Sequence, residues 1–327
     1  MAANDVERLP DLLETSRASS TKRHAAAAKT KFGSFLAKNY PGELTLETVT
    51  SDAIMHALIG EFATFVFQNP NIGFSSSSTY FSSIKCQLED STHTDFFERH
   101  KQWYTRLRSG LHPRYVNKTN EEGVPLQVKA PLMTLQDLRH LTAALFKTCS
   151  PKSLKDRTLL CLQWSVVGRS SDVGTLAFAD LQWMGEYVLV RARRQKTREE
   201  QSLAVTPSPL LWEVDPFHAL TSQLVGDPCQ LSDEPFPQVR RLPGQTDQVA
   251  AYINRLLEAT TTRCQLDVTG NLKSHSARRG SAAQAAAAEG VSLSGLAHRG
   301  AWRMNDVHTV LEYIAKLQAL IAEWQSP

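Results

Sequence analysis

Within 327 residues, strand-like sequence occurs in one place only. GEYVLVRARRQ (185–195) and EEQSLAVTP (199–207) are rich in Val and Leu and are joined by a short charged turn, the signature of an antiparallel hairpin. Elsewhere, wherever apolar residues recur with a period, the period is helical. The expected fold is therefore mainly α (α+β), with one small antiparallel sheet placed late in the chain. At this length two domains are expected rather than one core.

The helical pattern divides the chain. Residues 1–20 are polar and Ser-rich at their end, and read as a tail. From Thr21, KRHAAAAKTKFGSFLAKNY predicts a helix with Phe32, Phe35 and Leu36 on its apolar face. A second helix is expected over Ser51–Gln68, carried by Ile54, Leu58, Ile59, Phe62, Phe65 and Val66. In FSSSSTYFSSIK a Ser or Thr is expected to cap a third helix through Tyr80, Ile84 and Leu88. FFERHKQWYTRLRSG predicts a fourth that ends at Gly110. These make a helical domain over 21–110. The stretch 111–130 mixes Pro, Gly, Asn and both charges without period, and reads as a linker. A second domain, 131–327, opens with a helix capped by Thr134. It continues through a buried helix from Lys155 to Val167, contains the hairpin, and is helical again from Val249.

Composition narrows the chemistry. Five cysteines (Cys86, Cys149, Cys161, Cys229 and Cys264) are odd in number, scattered, and never spaced CxxC. A zinc site and a disulfide framework are thus not expected, and a reducing compartment is. No apolar run reaches the roughly 18 residues of a membrane span, and MAANDVERLPDLLETS has no apolar core for a signal peptide. The expectation is a soluble intracellular protein. A net charge of +3 permits a nucleic-acid partner without requiring one, so any basic signal has to be local.

Four local signals stand out. NLKSHSARRGSAAQAAAAEG (271–290) puts His275 and Arg278 at i and i+3 near a helix start, with Lys273 just ahead. Backbone N–H groups there add donors for an anion; a solvated basic helix start has the same look. SVVGRSSDVGTLAFADLQW (165–183) places Arg169 at a bend after a Gly, with Asp172 three residues on. The carboxylate can orient a guanidinium toward two phosphate oxygens, or simply tie a turn. Arg193, Arg194, Lys196 and Arg198 cluster at the hairpin turn, either to reach a nucleic-acid groove or as a solvated tip. In AHRGAWRMNDVHTVLEYIAKLQALIAEW, Tyr313 is the only one of seven tyrosines beyond the His–Arg box, on a helix with a broad apolar face. His298 and His308 have no carboxylate or Cys at ligand spacing, so no metal is expected.

In this order the residues resemble the tyrosine recombinase, or phage-integrase, family. GRSSDV resembles its first-Arg box, RRQKT its β-hairpin lysine motif, KSHSARRG its His-x-x-Arg box, and GAWRMNDVHTVLEYI the segment with a His or Trp ahead of the nucleophilic Tyr. HSAR, AEGVSL and the Trp before the Tyr are most similar to Cre-like and crypton-type mobile-element recombinases. Two departures are visible: Arg279 follows Arg278 where many members have a second His, and the interval from Trp302 to Tyr313 is longer than usual.

The resemblance implies a helical DNA-clamping domain followed by a catalytic domain, acting on double-stranded DNA as a tetramer on paired sites, without metal or other cofactor. It also implies the roles. Tyr313 attacks the scissile phosphate and Arg169 and Arg278 hold it, with Asp172 orienting Arg169. Lys196 protonates the leaving 5′ oxygen. His275 assists proton transfer, and Trp302 or His298 buttresses it. A catalytically inactive DNA-binding descendant and a type IB topoisomerase-like strand relaxer share these implications in part.

Overall fold

The structure, a computed structural model, describes residues 19–42, 51–93, 95–123, 129–194, 199–228, 232–239, 248–288 and 290–302. It divides into two compact units, Met1–Lys129 and Ala130–Pro327.

The first unit is helical throughout its described residues: α1 (Ser19–Asn39), α2 (Asp52–Gln68), α3 (Phe74–Thr92), the single turn α4 (Phe96–Arg99) and α5 (Lys101–Glu122). Its core is aromatic. Phe32, Phe35 and Phe62 meet with ring centroids 5.0–5.7 Å apart, and Phe81 packs 5.6 Å from Phe62, within the range that favours tilted and edge-on pairs. On α2 Leu58, Ile59, Phe62 and Val66 are buried as expected, whereas Ile54 is 37% exposed and Met55 lies inside in its place. The serines of α3 do not cap it; Gly73 holds the N-cap position. They sit inside the helix instead, where Thr79 and Ser82 donate to the carbonyls of Ser75 and Ser78 four residues back. These hydroxyls thus find acceptors within the helix itself.

The linker expected from residue 111 is instead helix as far as Glu122, and α5 passes through both Gly110 and Pro113. Leu111 and Tyr115 explain this. Both are buried, one turn apart, and the Tyr115 hydroxyl bonds Ser77 Oγ (2.6 Å) and the Ile72 carbonyl (3.2 Å). Tertiary anchoring outweighs two weak helix formers.

The second unit contains α6 (Leu135–Thr148), α7 (Pro151–Ser165), the short α8 (Ser170–Gly174), β1 (Leu181–Trp183), β2 (Val188–Arg194), β3 (Glu199–Val205), α9 (Pro216–Gly226), α10 (Gln248–Cys264), α11 (Ser274–Ala287) and α12 (Leu293–Arg299). Thr134 caps α6 as expected: its Oγ1 accepts the Asp137 N–H (3.0 Å), while Asp137 accepts the Thr134 N–H (2.7 Å). The hairpin pairs Val188 with Val205 through to Arg194 with Glu199, and β1 adds a third antiparallel strand along β2. Val188, Val190 and Ala192 face the core with Leu203 and Val205. The fold is therefore mainly α with one small antiparallel sheet. Among the described residues, no helix is long and apolar enough to cross a membrane.

Candidate nucleic-acid interface and active site

The end of α7 begins the site. After Ser165 the chain turns through Val167, which has φ +49°, a costly conformation for a β-branched residue. Gly168 follows, where a Cβ would lie 2.8 Å and 2.9 Å from the side chains of Val173 and Val166. Arg169 is then the N-cap residue of α8. Asp172 sits beneath it, buried, and accepts the Arg169 N–H at 3.3 Å. The two side chains stand farther apart, with Arg169 Nη1 3.9 Å from the carboxylate. That Nη1 is shielded from solvent and has no hydrogen-bond partner.

Helix α11 brings the second arginine to the same turn. Arg278 is 2% exposed and donates from Nη1 to the Val167 carbonyl and from Nη2 to the Gly300 carbonyl, each at 2.6 Å. The Trp302 indole lies over its guanidinium, 4.2 Å from ring centroid to Cζ, a close cation–π arrangement. His275, one turn earlier, is exposed, as is Lys273. Two of the helix-start amides are committed inside the protein. Ser274 N–H goes to Asn254 Oδ1 (2.7 Å) and Ser276 N–H to the Lys273 carbonyl (2.8 Å). His298 is exposed and joins the surrounding network through its main-chain carbonyl.

No family model matches the sequence, and no curated protein matches it. Solved structures do. A XerH site-specific recombinase bound to palindromic difH substrate superposes with a TM-score of 0.58 at 12% identity, over 93% of this chain and 80% of that one. A lambda integrase dimer bound to a COC′ core site gives 0.56 at 14% identity, over 94% and 93%. The Tn1549 transposon integrase in complex with transposon right end DNA gives 0.54 at 12%, over 92% and 93%. This chain has the tyrosine-recombinase fold.

Set in the tyrosine-recombinase fold, the sequence-predicted residues divide into three groups. Arg169, Asp172, Arg278 and Trp302 are brought together around the Val167–Arg169 turn. His275 and His298 are exposed, each on a helix whose neighbouring residues enter that cluster. Lys196 and Tyr313 lie outside the described residues, as does the apolar stripe after Tyr313. One reading of the hairpin is corrected. Arg194, grouped by sequence with the cations of the turn, is fully buried, and it rather than Arg169 makes the close ion pair with Asp172, at 3.1 Å. The signal for this was present: Arg194 continues the inward alternation of Val188, Val190 and Ala192, and a charge there requires a partner.

Two further positioning residues carry no motif. Gln163 Nε2 donates to the Ser274 carbonyl (2.8 Å) and approaches that of Gly168 (3.5 Å), tying the Arg169 turn to the start of α11. Arg299 donates to the carbonyls of Ser165 (2.7 Å) and Ala204 (3.0 Å). Helix α11 is itself seated at Gly280, where a Cβ would fall 1.9 Å from the Met133 carbonyl oxygen. Gly280→Ala is therefore expected to cost about 1–3 kcal/mol through forced backbone displacement. At roughly 2–4 °C per kcal/mol for a unit of this size, calorimetry should show a clear fall in Tm. An unchanged Tm would refute the close seating.

Proposed function

We propose that the chain is a site-specific DNA recombinase that cuts and rejoins strands through a 3′-phosphotyrosyl intermediate, as part of the integration or excision of a mobile element. The observation that carries this reading is that Arg169 and Arg278 meet at one turn, where Arg169 Nη1 stands in a loose 3.9 Å ion pair with Asp172 and makes no hydrogen bond. A planar guanidinium fork suits phosphate oxygens, and Arg169 has hydrogen-bonding capacity that Asp172 does not take up. Arg278, rigidly held beside it, supplies the second positive group. Its position above the Val167–Arg169 turn is fixed by two main-chain carbonyls and Trp302.

In this mechanism the Tyr313 oxygen forms a bond to phosphorus and the bond to the 5′ oxygen breaks. Arg169 and Arg278 stabilise charge on the non-bridging oxygens of the pentacoordinate transition state. Lys196 gives a proton to the leaving 5′ oxygen. His275 assists removal of the Tyr313 proton, and Trp302 holds the Arg278 plane. Because the phosphotyrosyl link retains the energy of the broken ester, rejoining needs neither ATP nor metal. The helical first unit, with Lys22, His24, Ser78 and Ser82 along one groove between α1 and α3, clamps the duplex. Four protomers act on two paired sites.

The test begins with a randomised pool of nicked duplexes. Denaturation-resistant protein–DNA adducts are trapped, and the linked peptide is identified. The expected result is a 3′-phosphoryl link to Tyr313, formed as fast in EDTA as in magnesium. Strand cutting that leaves no covalent link and depends strictly on magnesium would point to metal-dependent hydrolysis and overturn the proposal.

A further inference from the structure

We infer that Arg194 is a positioning residue for the general acid, holding the stem of the Lys196 hairpin against both the Arg169 turn and the segment leading to Trp302. This rests on the recombinase reading above, and it assigns work to a side chain that the reading leaves unused.

The Arg194 side chain is wholly enclosed, and its three nitrogens face three different parts of the chain. Nη1 donates to Asp172 on α8 (3.1 Å). Nε and Nη2 donate to Gln201 Oε1 on β3 (2.8 and 2.6 Å). Nη2 also donates to the Arg299 carbonyl at the end of α12 (2.5 Å). Gln201 completes the clasp by donating from Nε2 to the His298 carbonyl. Burial presses the Arg194 pKa downward, and the nearby Asp172 carboxylate opposes that.

Packing alone does not explain so expensive a group. The stem below it is filled by Val190 and Ala192, and an aliphatic side chain in the same position would bury more cheaply. What an aliphatic residue cannot do is bond α8, β3 and α12 at once with fixed directions, which a planar five-donor fork can. Arg194 pairs with Glu199 as the last rung of the ladder, and Lys196 is two residues farther along. Covalent geometry allows no more than about 7 Å of extended chain between their Cα atoms, so the stem that Arg194 fixes limits how far the general acid can range.

The experiment uses the full chain and a duplex recovered by it from the randomised pool. That duplex is made in two forms, one with the ordinary phosphodiester and one with a 5′-bridging phosphorothiolate, whose sulfur departs without a proton. Arg194→Lys keeps a charge beside Asp172 but loses the fork. Adduct formation on the ordinary duplex is expected to fall about 100-fold, the scale of an ångström-sized misplacement. On the phosphorothiolate it should return to within a few-fold of wild type. Lys196→Ala supplies the rescued reference, and Arg169→Ala the reference that is not rescued. Gln201→Met leaves the Arg194–Asp172 pair in place and is expected to show the same selective rescue; it decides alone if Arg194→Lys does not fold. Equal losses on both duplexes, or no loss on either, would overturn the inference. A wild-type chain that forms no adduct at all overturns the recombinase reading itself, and this inference with it.

Discussion

Tyr313→Phe is expected to bind DNA as the wild type does and to form no covalent adduct. The substitution removes one oxygen and preserves the ring. A phenol with a pKa near 10 is a poor nucleophile in water, so the proposed mechanism requires an oriented, charge-neutralised phosphate for it to attack. Arg169 and Arg278 are arranged around one turn in a way that fits that need. Without the oxygen nothing is left to attack, and the loss should be on the order of 10⁶-fold, the scale seen when a catalytic nucleophile is deleted. Gel-shift titration and adduct trapping on the same duplex check both halves. Adduct at the wild-type level in Tyr313→Phe would remove Tyr313 from the mechanism.

The second large effect separates the two arginines. Both Arg169→Ala and Arg278→Ala should reduce cleavage by at least about 10²–10³-fold, as loss of a transition-state donor does. Their stabilities should differ. Arg169 has only a loose 3.9 Å ion pair with Asp172, a carboxylate that Arg194 holds more closely at 3.1 Å, so its removal should leave Tm close to wild type. Arg278 makes two charge-assisted bonds to Val167 and Gly300 and stacks on Trp302. At roughly 1.5–3 kcal/mol for each such bond, less the cost of burying the guanidinium, its loss should destabilise by about 3–5 kcal/mol. That corresponds to roughly 10 °C in Tm for a unit of this size. Calorimetry of the two variants side by side decides it, and equal melting temperatures would mean that Arg278 is not held as described.

What sequence can show about this site follows from the reach of each interaction. Thr134 and Asp137 lie within one turn, so their capping box is legible. The hairpin is legible from its alternation. Strand β1 has three residues and exists only because it pairs with 188–190, so no local pattern announces it. Helix α5 runs on past Pro113 because Tyr115 is anchored to Ser77 and Ile72, 38 and 43 residues away. The Arg169 and His275-x-x-Arg278 boxes were visible as motifs, whereas the groups that hold them were not. Asn254 reaches Ser274 across 20 residues and Gln163 reaches Ser274 across 111. Arg194 is the intermediate case. Its inward register was readable, but its partners on α8 and α12 were not.

Five of the acceptors that hold these arginines are main-chain oxygens. Arg278 bonds the carbonyls of Val167 and Gly300, Arg299 those of Ser165 and Ala204, and Arg194 that of Arg299. A main-chain oxygen is present whatever side chain its residue carries. Substitutions at such positions leave the acceptor in place as long as the backbone path is kept, so selection can rewrite most of the letters around the site without moving its guanidinium groups. A framework of this kind depends on the path of the backbone more than on the side chains around it. The residues it cannot let drift are the few whose side chains do the holding: Asp172, Gln201 and the three arginines themselves.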